Sequence, residues 1–213
     1  MFREIDISQY PICDSDIWVD INIANIVDVL FQKYEKIVIA DVVWKEILNW
    51  KHNPEFGFIA TNLEKYIDTG QVIIIKHDEI ETTDRMLLEK QLLETDFNFV
   101  SGLVDNPHEK NKGEIVSALY AVHFELPFLK SNDGTFKRGK PGRMAFPDLI
   151  VKNRKQTLMD LIEDVNRCNE LDRLIQDNRT LMNEGQRIYK QELEQPVTQE
   201  TVEKLLKKMR GQR

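Results

Sequence analysis

Asn111 to Gly134, NKGEIVSALYAVHFELPFLKSNDG, decides the fold. It reads as a helix, a tight turn, a short buried strand and an abrupt acidic exit. Ile115, Ala118, Leu119 and Val122 recur at helical spacing, so one face of the helix is apolar. Gly113 and Glu114 open the helix, where a carboxylate meets the positive end of the macrodipole. Pro127 ends it, and Leu126 to Leu129 is an apolar run suited to a central strand. The run stops at Ser131-Asn132-Asp133-Gly134. In an open α/β sheet the carboxyl ends of the strands are where ligands bind. This one unit therefore offers a carboxylate at a helix start and another at a strand end.

The rest of the chain repeats the pattern. Tyr10 to Cys13 is a short apolar run that ends in Asp14-Ser15-Asp16. Apolar residues from Ile17 to Phe31 recur near a period of 3.6 and predict a helix, capped by Ser15 or Asp16. Lys36 to Asp41 is a second apolar run, and Val42 to Trp50 a short helix that carries Glu46. Asn53-Pro54 breaks it. A helix is predicted to start within Thr61 to Tyr66, a strand over Val72 to Ile75 and a helix over Thr83 to Leu93. Asp96 to His108 reads as a loop, with Asp105-Asn106-Pro107 as its turn signal. Gly139 to Gly142 is a predicted turn, and Ala145 to Val151 a last strand interrupted at Pro147. Beyond Lys155 the pattern is helical, with an apolar stripe at Leu158, Leu161, Ile162, Val165, Leu171, Leu174 and Ile175. Pro196 splits off a last helix, Thr198 to Met209, opened by a TQET capping pattern. Strands alternating with helices predict an α/β fold with a largely parallel sheet. The expected division is a domain over 1–155 and a helical extension over 156–213.

The chain has 213 residues, enough to bury a sizeable core. No apolar run approaches the ~18 residues that span a membrane, and the amino terminus lacks a signal-peptide pattern. Cys13 and Cys168 lie far apart and form no CxxC pair, so a reducing, cytoplasmic setting is expected. The net charge is −7, but its distribution says more. Residues 1–129 hold 11 basic and 23 acidic side chains, whereas residues 130–155 hold 8 basic and 2 acidic. A basic strip beside clustered acids suits a metal-dependent enzyme that acts on a polyanion. Surface lysines on a solvated loop are the plainer reading.

Four acids occupy comparable places: Asp14 after the first strand, Glu46 in a short helix, Glu114 at a helix start and Asp133 after a strand. There is no Walker loop, GxGxxG, GxSxG or HExxH. The four histidines lack paired ligand spacing, which argues against zinc. Clustered carboxylates repel one another unless a cation neutralises them. The cation suited to oxygen ligands beside phosphate is Mg²⁺ or Mn²⁺.

The early strand ending in DSD, the acid in VVWKEI and then KGEIVSALYAVHFELPFLKSND together resemble the PIN-domain ribonucleases, over roughly residues 8–153. The resemblance implies a PIN-like parallel sheet between helices and Mg²⁺- or Mn²⁺-dependent cleavage of RNA. It implies that Asp14, Glu46, Glu114 and Asp133 are the catalytic, metal-holding acids. Asp16 would be the polar residue two beyond the first acid, and Ser131 and Asn132 turn partners that bind metal or its water. Asn132 departs from the family pattern, where many members have a second Asp. Residues 55–105 are longer than in minimal members. The basic strip, through Lys137, Arg138, Lys140, Arg143 and Arg154, would hold the RNA backbone. An inhibitor or antitoxin protein, and a homodimer through the carboxyl-terminal helices, are the implied partners.

Other readings remain open. Hydrophobic strand–Asp14-Ser15-Asp16 also resembles the start of haloacid-dehalogenase-type phosphatases, with Asp14 as nucleophile, Asp16 as acid/base and Ser131 as phosphate ligand. That reading leaves Glu46 and Glu114 idle. A non-catalytic PIN-like binding module is the third. Taken singly, Asp14 reads as a helix cap, Glu46 as a solvated residue, Glu114 as a complement to the helix dipole and Asp133 as a turn residue.

Overall fold

A computed structural model describes residues 6–95, 97, 99 and 109–194, with side chains to residue 182. Five parallel strands form one sheet in the order β3-β2-β1-β4-β5. They are β1 (Ile12–Cys13), β2 (Ile37–Ala40), β3 (Val72–Ile75), β4 (Leu129–Lys130) and β5 (Val151–Lys152). The expected α/β class with a parallel sheet is what the chain adopts. β2 is buried throughout, as a parallel strand covered on both faces should be. The chain moves outward from β1 to β3, then returns to place β4 on the other side of β1. That reversal makes the carboxyl ends of β1 and β4 the switch point, the place where open sheets bind ligands.

The helices are α1 (Ser15–Ile23), α2 (Val27–Tyr34), α3 (Asp41–Leu48), α4 (Phe58–Asp68), α5 (Thr82–Leu93), α6 (Lys112–His123), α7 (Pro141–Ala145), α8 (Arg154–Leu161) and α9 (Val165–Glu194). α6 packs on β1, β2 and β4. Its residues 115–121 are buried, including the fully buried Tyr120. Val122, read as part of its apolar face, is exposed. α1 buries six successive residues, Ile17 to Asn22, and behaves as a core helix rather than a one-sided one. Trp18 Nε1 donates to the Ile59 carbonyl at 3.1 Å, so even its indole nitrogen is paired inside.

Four boundaries differ from the periodic reading. The single helix expected over 17–31 is two, α1 and α2, divided where Asn25 takes a positive φ of 53°. β4 begins at Leu129, later than expected, because Glu125 at φ 53° and Pro127 first turn the chain. The GKPG turn runs on into α7, whose first residue is Pro141; a proline there loses no helical hydrogen bond. The strand expected over 145–151 is only Val151–Lys152, since α7 and Pro147 occupy its first part. Asp105 and the Thr198–Met209 segment lie outside the described residues.

The chain divides into two compact units, Met1–Asp172 and Arg173–Arg213, with α9 running from the first into the second. In the first unit Leu158, Leu161, Cys168 and Leu171 are buried, while Val165 is exposed. Among the described residues no helix is long and apolar enough to cross a membrane.

Candidate active site

Register builds the site. Ile12 pairs with Leu129 and Cys13 with Lys130, so the next residues on each strand, Asp14 and Ser131, emerge side by side. The Asp14 amide continues the ladder by donating to the Lys130 carbonyl at 3.0 Å. Asp14 is fully buried. One of its carboxylate oxygens caps α1 by accepting from the Ser15 amide at 2.7 Å, and the other accepts from Ser131 Oγ at 3.1 Å. The cap reading and the site reading of Asp14 therefore both describe the same side chain.

Ser131 then organises the acidic turn. Its Oγ accepts from the Asp133 amide at 3.2 Å. Asp133 in turn caps a 3-10 turn over Gly134–Phe136 by accepting from the Thr135 amide. From the other side, α6 and α3 meet above the strand ends. A methyl group on Gly113 would sit 3.2 Å from Val43 Cγ2, 3.4 Å from Glu46 Oε2 and 3.7 Å from Asp14 Oδ1. Carboxylates from two different elements thus lie beside the start of α6.

Electrostatics brings in the remaining acids. Burial, and then the carboxylates of Glu114, Asp16 and Glu46, hold the Asp14 carboxyl well above its ordinary range. Burial, followed by Asp133, Glu46 and Asp16, pushes Glu114 up to about 7, although its own helix amide pulls the other way. The structure thus gathers Asp14, Asp16, Glu46, Glu114, Ser131 and Asp133 at the switch point.

The donor set is the chemical match for a hard, oxygen-seeking cation: acids from four separate segments, two of them resisting ionisation. Among the described residues no three acidic, histidine or cysteine side chains are already drawn into a ligating array. The acids would have to turn inward to hold an ion. Glu46, Glu114 and Asp133 are half-buried, Asp133 already holding the Thr135 amide, and Asp14 is held by two hydrogen bonds.

The basic strip divides. Lys137, Arg138 and Lys140 are exposed. Arg143 instead ties down its own loop, donating to the carbonyls of Phe136, Phe146, Pro147 and Leu149. Asn132 is exposed, and its Oδ1 accepts from the Arg154 amide at 3.5 Å. Arg154 bridges Asp172 at 2.6 Å and the buried Asp20 at 3.9 Å. Lys130 is fully buried, its ammonium between the rings of Tyr34 and Phe128 and 3.7 Å from Asp160. Burial lowers that amine to about 8.

Sequence reasoning also missed the buried Asp41. Asp41 follows β2 as Asp14 follows β1. Its carboxylate accepts from the Val42 and His77 amides at 2.9 and 2.8 Å, and burial raises its pKa. The His77 ring contacts Tyr120 at 3.4 Å and Glu89 at 3.0 Å. The strand-end position of Asp41 was the available signal.

Compared with protein-family models, curated proteins and solved structures, the chain finds no match in any of the three.

Proposed function

We propose that the protein is a metal-dependent endoribonuclease of the PIN-like type, with Asp14, Glu46, Glu114 and Asp133 as its metal-holding acids. One observation carries the reading: carboxylates from four separated segments meet at the switch point of a parallel sheet, close enough to oppose one another's ionisation. Such crowding is costly unless a cation relieves it. Bound Mg²⁺ or Mn²⁺ would stabilise charge on a phosphoryl centre and supply an activated water for in-line hydrolysis.

The chain's own residues prepare that chemistry. Ser131 fixes the Asp14 carboxylate and the turn that presents Asp133. Gly113 brings the α6 backbone close to the carboxylates of Glu46 and Asp14. Exposed Lys137, Arg138 and Lys140 lie a few residues beyond Asp133, suitably charged to hold a polyanion near the acids. RNA is the substrate class this reading names.

The phosphatase alternative gains one observation, the 3.1 Å contact of Ser131 Oγ with Asp14. It must also accept three acidic neighbours raising the pKa of its nucleophile, an arrangement that repels a phosphate ester. Glu114→Gln separates the two. The nuclease reading expects Mn²⁺-dependent RNA cleavage by the wild type, lost by at least about a hundredfold in the variant, and no hydrolysis of p-nitrophenyl phosphate. Robust phosphatase activity that survives Glu114→Gln overturns it.

A further inference from the structure

Beside Asp133 lies a cleft of about 320 Å³ whose lining includes Lys137, Arg143, Arg154, Lys155 and Asp172. Four cations share that lining with two carboxylates of the chain itself, Asp133 and Asp172. Arg154 Nε donates to Asp172 Oδ1 at 2.6 Å, while its Nη1 stays within 3.9 Å of Asp20. Arg143 engages the loop carbonyls through Nε and Nη1, leaving its charge directed at the cleft without an acidic partner among the described residues. Lys137 and Lys155 are exposed and make no ion pair within the described residues.

The Arg154–Asp172 pair is partly buried, with 18% and 27% of the two side chains exposed, and it lines the cleft, where a ligand can reach it. A phosphate presents more acceptor oxygens than a carboxylate and more favourable geometry for a guanidinium. Such an anion can take the place of Asp172 at Arg154 while also meeting Lys155 and Lys137. Removal of Asp172 from the guanidinium still leaves Asp20 to anchor it from the core side.

We propose that this cleft is a phosphate-binding subsite beside the acidic cluster, in which Asp172 is the internal anion that a ligand phosphate displaces. The proposal deepens the nuclease reading and rests on it for one point, the identity of the phosphate as part of an RNA strand flanking the cleaved bond. Arg154 then serves two states: paired with Asp172 at rest and with phosphate when ligand is bound.

The test is binding of a fluorescently labelled single-stranded oligoribonucleotide, by anisotropy in EDTA, to full-length wild type, Asp172→Asn and Lys155→Glu. Loss of the competing carboxylate should tighten binding by about three- to fivefold, the upper range for an ion pair that solvent still reaches. Lys155→Glu should weaken it by about tenfold or more and flatten its salt dependence. Inorganic phosphate is the second arm. Displacement of the oligonucleotide by millimolar phosphate, more readily in Asp172→Asn, supports the subsite and assigns a terminal phosphate; displacement by unlabelled oligonucleotide alone supports it and assigns an internal diester. Asp172→Asn that folds but binds no more tightly than wild type overturns the proposal. If that variant does not fold, Lys155→Glu decides, and unchanged binding overturns it. Because EDTA takes cation chemistry out of the measurement, failure here leaves the Glu114→Gln cleavage test standing. Loss of the nuclease reading equally leaves this binding result standing.

Discussion

Glu114 sits where two effects oppose each other. The start of α6 favours its charge, but burial and three neighbouring carboxylates outweigh that and push its pKa from 4.5 to about 7. A carboxyl raised in the folded state binds more protons folded than unfolded, so its ionisation costs stability as pH rises through that interval. Asp14 acts in the same direction. In EDTA, Glu114→Gln should therefore melt higher than wild type near pH 7.5, with the gap closing towards about pH 4.5. Thermal melts across that range check this, and a variant that melts lower at pH 7.5 would show that the ionised acid is not under strain. Lys130 gives the complementary case. Its stem fills core and its ammonium lies against two rings, while Asp160 keeps Lys152 at 2.7 Å and Tyr34 at 3.0 Å as partners. Lys130→Met should cost under about 1.5 kcal/mol, because volume is kept and the acid stays paired. Lys130→Ala should cost about 2–4 kcal/mol through the void it leaves. Urea denaturation of both variants separates packing from charge.

At the scale of elements, the long periodic segments were legible and the short ones were not. Val72–Ile75 and α6 follow from apolar runs and spacing alone. β1, β4 and β5 are two residues each, too short to carry a period, and only their pairing defines them. α1 and α2 share one helical pattern, and the break between them rests on the left-handed backbone at Asn25, which periodicity does not record. Asp14 and Asp133 follow strands and Glu114 opens a helix, positions that the sequence pattern marks; Glu46, sixth of the eight residues of α3, has no such mark. The roles of Arg143 and Arg154 could not be read from sequence, since their partners are carbonyls across a loop and acids 134 and 18 positions away (Asp20 and Asp172). α7 illustrates how local geometry supports the site. A methyl on Gly142 would lie 2.8 Å from Thr135 Cγ2 and 3.0 Å from the Thr135 carbonyl oxygen. Thr135 is the residue whose amide Asp133 holds. Gly142→Ala should cost about 1–3 kcal/mol, more than its gain in helix propensity, and should also weaken Mn²⁺ binding by moving Asp133. Equal stability by chemical denaturation would mean that the two segments separate freely.

At the scale of the molecule, the first compact unit ends at Asp172, beyond α8 and the first turns of α9. A chain ended after Asp172 keeps buried Leu158, Leu161, Cys168 and Leu171, and the Arg154–Asp172 pair. A chain ended after Lys155 loses all of them, at roughly 1.5–3 kcal/mol for each buried leucine. The longer form should unfold cooperatively in calorimetry and the shorter should melt far lower or without a cooperative transition. Similar melting of the two would remove α8 and the start of α9 from the folded unit. The proposed nuclease needs the sheet's switch point to assemble separated acids into one divalent-cation site. Mn²⁺ titration followed by electron paramagnetic resonance, on wild type and Glu114→Gln at about pH 7.5, tests it most directly. Wild type should bind saturably, and the variant with affinity weakened by at least about tenfold, the loss of one charged ligand. Identical Mn²⁺ binding by the two proteins, or none by wild type, would contradict it.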